Sequence, residues 1–189
     1  MAFRQARIVE AAAAFGAQAV LTSAAHTSGS DRIAECARRL GWDGDSIVVN
    51  LQGDEPLMPP TCLDQVARLL ESHAEADVAS LYWPIDNAEE AADPNAVKVV
   101  VGKDGAALYF SRSLIPHPRG AGSLTEALAS GCRWLRHIGL YAYRAGALRA
   151  FAARYLSGLF YGGCFALSRA WTGPLQHLCL HWWQAGRRP

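Results

Sequence analysis

Residues 46–56 read Ser46-Ile47-Val48-Val49-Asn50-Leu51-Gln52-Gly53-Asp54-Glu55-Pro56, and the fold turns on this stretch. Ser46 to Gln52 is mostly β-branched and aliphatic, which suits a buried strand. It runs without a spacer into Gly53-Asp54-Glu55-Pro56. In an open α/β sheet, ligands sit just beyond the carboxyl ends of the strands. Gly53 lets the backbone turn and come close to a ligand. Asp54 then offers a carboxylate at which a hard cation such as Mg²⁺ can bridge to phosphate. Gln52, at the strand end, can donate to and accept from a base or a sugar. The same letters also fit a plain turn in which Asp54 caps the next segment.

The flanks extend this pattern. Upstream, Phe3, Ile8, Ala12 and Phe15 recur at helical spacing, with Gly16 as the stop. Ala19 to Leu21 reads as a short strand. Ser30-Asp31 reads as the cap of a helix whose apolar positions include Ile33, Ala34 and Ala37. Downstream, a helix is expected from Pro60 to Ser72. Strands are expected at Asp77 to Trp83, Ala96 to Val101, Ala107 to Arg112 and Arg136 to Arg144. Strands alternating with helices are the signature of an α/β sheet with crossover helices.

Composition narrows the function classes. The 189 residues are 51% hydrophobic and 19% charged with a net charge of +1. That is globular, and its charge points to neither a nucleic-acid nor an anionic-membrane partner. The five cysteines are odd in number and form no CxxC pair, which fits a reducing cytosol. Glu10 interrupts the apolar N-terminal stretch, so that stretch reads as helix and strand rather than a signal peptide. The run from Tyr155 to Leu167 holds three glycines and is too short to cross a bilayer.

Three further segments carry polar groups in a pattern. In His26-Thr27-Ser28-Gly29-Ser30-Asp31-Arg32, small hydroxyl residues surround a glycine before a helix, whose free N–H groups suit an anion or a base edge. Arg32 adds a forked donor; the alternative is a capping loop with a surface arginine. In Tyr109-Phe110-Ser111-Arg112, strand geometry puts Leu108, Phe110 and Arg112 on one face. Arg112 then suits a sugar carboxylate or a phosphate, or an edge-strand salt bridge. In Arg136 to Arg144, period two puts His137, Gly139, Tyr141 and Tyr143 on one face and Ile138, Leu140 and Ala142 on the other. The first face can line a sugar pocket, although a histidine so placed can equally be an ordinary satisfied polar residue.

Taken together, HTSGSDRIAE, VNLQGDEPLMPP, NAEEAADPNAVKVV, ALYFSRSLIP and RHIGLYAYRAG resemble the CMP-Kdo synthetases (3-deoxy-manno-octulosonate cytidylyltransferases) in order and spacing. The resemblance covers roughly three quarters of the chain, and the last three segments are its most specific part. It implies a Rossmann-like nucleotidyltransferase with a mixed sheet, Mg²⁺ as cofactor, CTP and Kdo as ligands, and CMP-Kdo and diphosphate as products. It also implies lipopolysaccharide synthesis, a cytoplasmic location and a homodimer, with no membrane insertion. By motif, Asp54 is the expected Mg²⁺ ligand and, with Arg112, a catalytic residue. Gln52, His137 and Tyr141 are expected at the sugar, and Ser28, Gly29 and Arg32 at the nucleotide.

Two departures accompany the matches. Family members begin with a strand and a PARxxSxRLPGKPL-type loop that supplies an arginine and a lysine to the triphosphate; nothing before Ala6 resembles it. They also carry a GVDTPEDL-like motif with a second Mg²⁺ ligand, whereas here no Asp or Glu follows Glu126. The expectation is a partial nucleotidyltransferase domain over 1–154, lacking its first strand and nucleotide loop, and a tail over 155–189 outside the family pattern. The tail's composition is of the kind an out-of-frame translation produces. Weak activity and poor stability are expected of such a chain. The alternatives are a synthetase for another acidic sugar, a non-catalytic remnant that binds nucleotide or sugar, and an apolar interaction module built on the tail.

Overall fold

The computed structural model describes residues 2–3, 5–26, 28–53, 55, 57–154 and 178–182. In chain order the elements are β1 (Ala2–Phe3), α1 (Ala6–Ala14), β2 (Val20–Leu21), α2 (Gly29–Arg39), β3 (Ile47–Asn50), α3 (Pro60–Ser72) and β4 (Val78–Ile85). They continue with α4 (Ala88–Ala92), β5 (Lys98–Val101), β6 (Ala107–Ser111), α5 (Leu124–Ala129), β7 (Trp134–Arg144), α6 (Ala145–Arg154) and β8 (Leu178–Trp182). The chain divides into two compact units: Met1–Val48 with Arg144–Leu159, and Val49–Tyr143 with Phe160–Pro189.

In the first unit, β1 and β2 pair in parallel, Ala2 with Val20 and Phe3 with Leu21. Phe3 therefore belongs to a strand and not to the helix that its spacing suggested. Gly16 does close α1: it takes a φ of +79°, and its N–H donates to the Ala13 carbonyl. Such a positive φ favours glycine. Helix α2 begins earlier than its sequence implied. Ser28, not Ser30 or Asp31, is the N-cap, and its hydroxyl accepts from the Asp31 N–H at 3.1 Å. Helix α2 buries Ala34, Cys36 and Ala37 and packs on α6. The start of α6 is pinned by the Ala145 N–H on the Ser46 carbonyl and the Gly146 N–H on the Gly44 carbonyl, both 2.9 Å. A Cβ on Gly146 would stand 3.2 Å from the Gly44 backbone, so a side chain there would push that backbone back by a few tenths of an ångström.

The second unit is built on a mixed sheet in the order β6-β5-β7-β4-β8. Strand β3, whose last two residues belong to this unit, pairs β7 off that line. The β4–β7, β5–β6 and β5–β7 pairs are antiparallel, and β4–β8 is parallel. Helix α3 covers the sheet with Cys62, Val66, Leu69 and Leu70, spaced to fall on one helical face, and Pro60 opens it where a missing N–H costs nothing. Two short helices complete this unit. Asn87 caps α4 by accepting from the Glu90 N–H, and Ser123 caps α5 by accepting from the Glu126 N–H. Ile85, Ala91, Ala127 and Trp134 form one core cluster there, and the Trp134 indole N–H donates to the Pro116 carbonyl at 2.9 Å.

Candidate functional site

The polar face of β7 assembles from local rules. Its pairing with β4 passes from Ser80↔Tyr141 to Leu81↔Ile138, so Gly139 and Leu140 stand opposite no partner. This bulge bends the strand where the polar side chains gather. The Tyr141 ring lies 5.3 Å from the His137 ring and 5.8 Å from Tyr143, on which it stacks. Phe110 meets His137 edge-on at 4.8 Å. Gln52 joins the group: its Nε2 donates to the Gly139 carbonyl at 3.2 Å. A Cβ on Gly139 would stand 3.2 Å from that same nitrogen, so the absent side chain makes room for the amide.

Burial governs the electrostatics of this face. It pushes the His137 ring down to a pKa of about 4, so the ring is neutral at neutral pH. It also raises Tyr141, with Tyr143 adding to the effect, so that phenol keeps its proton. The face is therefore polar, aromatic and uncharged. Such a surface stacks on a sugar ring and exchanges hydrogen bonds with its hydroxyls.

Beside it, two cations hold one backbone corner and a third pairs with a nearby carboxylate. Lys98 is fully buried and its Nζ donates to the Asp93 carbonyl at 2.7 Å. Desolvation lowers its pKa, opposed by Asp93 and reinforced by Arg112. Arg112 is exposed and donates to the Pro94 carbonyl at 3.0 Å. Arg136 pairs with Glu90 at 3.0 Å. The expected shared face of Leu108, Phe110 and Arg112 does not form. The β5–β6 register shifts between Val100 and Val101, leaving Leu108 exposed while Phe110 is buried. Arg112 lies just past the end of β6.

In the first unit the polar groups lie along one stripe of α2. Ser28, Arg32, Glu35 and Arg39 are spaced four, three and four apart, which aligns them on a helix. Arg32 Nη1 donates to Thr22 Oγ1 at 2.6 Å and to the Ser23 carbonyl at 3.1 Å. Glu35 accepts from the Ser23 N–H at 2.9 Å and pairs with His26 and Arg39. The Ser23 amide is the main reason its carboxyl stays below the usual range, working against burial, with His26 and Arg39 assisting. Arg39 also donates to the Leu21 carbonyl at 2.6 Å. The stripe thus clamps the loop between β2 and α2.

Gly53 takes no positive φ, and a Cβ there would meet nothing, so its turn does not depend on glycine. The Glu55 N–H closes that turn on the Gln52 carbonyl at 3.2 Å. Asp54, the expected metal ligand, lies outside the described residues. Among the described residues, no group of three or more His, Cys, Asp or Glu is placed to hold a metal ion. No helix among them is long and apolar enough to cross a membrane. The described cysteines Cys36, Cys62 and Cys132 are free, and burial pushes the Cys36 and Cys62 thiols up.

Residues 4–157 match the model of the family described as cytidylyltransferase. The chain belongs to that family. It is 57% identical over 148 residues to the 3-deoxy-manno-octulosonate cytidylyltransferase of Thioalkalivibrio sulfidiphilus (strain HL-EbGR7), covering 78% of this chain and 58% of that protein. The enzyme of the same name from Acidovorax ebreus (strain TPSY) is 52% identical over 153 residues, again covering 58% of the relative. A solved CMP:2-keto-3-deoxy-manno-octonic acid synthetase complexed with CTP superposes with a TM-score of 0.73 at 32% identity, covering 94% of this chain and 68% of that one. The chain thus spans 58% of the length of these curated relatives.

The family reading and the mixed nucleotidyltransferase fold expected from the motifs are what these matches show. Within this cytidylyltransferase frame, His137 and Tyr141 share one face, as strand alternation suggested, and Gln52, which no spacing linked to them, joins through the Gly139 carbonyl. Ser28 and Arg32 bond within the α2 start and its loop, with Gly29 exposed at the first turn. The sequence reading missed three groups: Ser80 behind His137, Lys98 beneath the Asp93 corner, and Glu35 within the clamp. Glu35 had a signal in its helical phase with Ser28 and Arg32. Lys98 had one in its place inside an otherwise apolar strand. Ser80 had none, since only tertiary pairing brings it to β7.

Proposed function

We propose that this chain carries the substrate-binding framework of a Kdo cytidylyltransferase, and that the whole protein joins CTP and Kdo to give CMP-Kdo and diphosphate for lipopolysaccharide synthesis. In this reaction the anomeric hydroxyl of Kdo attacks the α-phosphorus. A new P–O bond forms, the α–β phosphoanhydride bond breaks, the hydroxyl proton is lost, and diphosphate departs with the bond pair. The uncharged face of His137, Tyr141 and Gln52 is the observation that carries the reading, because it suits a polyhydroxy acid's ring and hydroxyls. Arg112 takes the sugar carboxylate or a phosphate: one Nη1–H is spent on Pro94, and a guanidinium has four more donors. On the nucleotide side, Ser28, Gly29 and Arg32 present the α2 start, with Arg32 fixing the adjoining loop.

Asp54 would hold Mg²⁺, which with one protein carboxylate fits only the mode completed by waters and substrate phosphates. When bound there, the ion would neutralise charge on the triphosphate. A cytoplasmic location and a homodimer complete the proposal; light scattering on the purified protein reads the second directly.

The test is ligand binding to the purified chain, with Kdo, N-acetylneuraminate and CTP titrated separately. Kdo should bind in preference to N-acetylneuraminate, and His137→Ala should weaken Kdo about tenfold, the scale of a lost buried hydrogen bond, while leaving CTP unchanged. Equal binding of the two sugars would make this a synthetase for another acidic sugar, and no sugar binding at all would end the proposal.

A further inference from the structure

Ser80 sits on β4, wholly buried, against the bulge of β7. Its Oγ has three polar neighbours. His137 Nε2 is 2.8 Å away, the Ile138 carbonyl 3.0 Å and the Leu140 carbonyl 2.9 Å. A serine hydroxyl has one hydrogen to give, and carbonyls have none. Were that hydrogen given to His137, two carbonyl oxygens would face the Oγ lone pairs in a buried place with no proton between them. Burying acceptors against each other in this way is heavily disfavoured. The hydrogen therefore goes to the carbonyls of the bulge, and His137 must bring its own on Nε2.

We propose that Ser80 is a positioning residue that fixes His137 as the Nε2–H tautomer, making Nδ1 the ring's acceptor, so that the ring takes a hydrogen from a sugar hydroxyl and does not serve as a donor to the sugar carboxylate. The ring is otherwise held by Phe110 at its edge and Tyr141 alongside, which set its plane without setting its protons. The neutral ring favoured by burial is the form that has an acceptor at all. A tautomer set by the partner on the other nitrogen is a general property of histidine. Here the partner is itself anchored by the bulge, so one backbone irregularity shapes the strand and orients the ring. The link to sugar recognition rests on the function proposed above; the link from Ser80 to the tautomer does not.

The experiment is ¹⁵N NMR of the histidine side chains in the full 189-residue chain. The His137 signals are assigned by their loss in His137→Gln. The wild-type ring should show a protonated Nε2 and a bare Nδ1. Ser80→Ala should give a mixture of tautomers, and Ser80→Thr, which keeps the hydroxyl, should restore one. Kdo affinity should follow, falling about tenfold in Ser80→Ala for one misplaced hydrogen bond and returning in Ser80→Thr, with CTP affinity unchanged. A wild-type ring protonated on Nδ1 overturns the proposal whatever the Ser80 variants do. So does a Ser80→Ala chain with an unaltered tautomer. If the tautomers behave as stated and Kdo never binds, the sugar reading fails while the Ser80–His137 link stands.

Discussion

His137 links protonation to folding at the scale of a single residue. Its folded-state pKa of about 4 lies below the ordinary value of 6.5, because burial penalises the charged ring. Between those values the unfolded chain takes up a proton that the folded chain refuses. The group's contribution is therefore full above about pH 6.5, declines as pH falls toward 4, and is flat below, a total of about 3 kcal/mol. Urea midpoints measured from pH 7 to pH 5 should fall in the wild type, and His137→Gln should flatten that slope. Gly139 gives a second test at this scale. A methyl there would crowd Gln52 Nε2 at 3.2 Å, and the flexible amide can yield. Gly139→Ala should thus leave the melting temperature nearly unchanged while weakening Kdo several-fold, since it displaces one polar group of the face. His137, Tyr141 and Gln52 were legible because strand alternation and a strand end are local facts. Ser80 was not, because its role exists only across a pairing 57 residues distant in sequence.

Among the elements, α2 makes the sharpest predictions. Its polar stripe holds the loop from Leu21 to His26 through Arg32, Glu35 and Arg39. Glu35→Gln removes the charge that the Ser23 amide, His26 and Arg39 converge upon. Hydrogen exchange at the Ser23 amide should accelerate while the α2 core amides keep their protection. The wild-type contribution of Glu35 has the opposite protonation logic to His137. Its pKa is lowered, so its stabilisation is present above the ordinary 4.5 and is lost as pH falls through the folded value. Ser28→Ala removes the cap and should cost about 1 kcal/mol in chemical denaturation. Helix α3 could be read from its apolar spacing. Helices α4 and α5 announce themselves only by Asn87 and Ser123 three residues ahead of a glutamate, and five or six residues are too few to show a helical period. Helix α6 follows β7 with no breaker between them, so no local signal marks its start.

Across the whole molecule, the α2 residues proposed for the nucleotide and the β7 residues proposed for the sugar belong to different units. Hydrogen exchange with each ligand alone should separate the two: CTP should slow peptides spanning 22–35, and Kdo those spanning 134–144. Slowing of the same peptides by both ligands would refute that division. The family could be recognised from five short motifs, because each is a strand end or helix start whose chemistry is local. The sheet order could not, since β7 pairs with β3, β4 and β5 from three separate stretches of chain. Nor did the tail's composition point to β8, whose parallel pairing with β4 is a purely long-range event.

The bulge in β7 also has a parity. Gly139 and Leu140 are two residues, an even number, and the sides of a strand alternate with period two. The insertion therefore changes the reading frame of the strand without changing its phase, and His137 and Tyr141 still emerge on the same side. Deleting both residues would shorten the strand in phase, whereas deleting either one would invert every side chain on one arm. Natural insertions and deletions at this place in related chains should accordingly come in pairs.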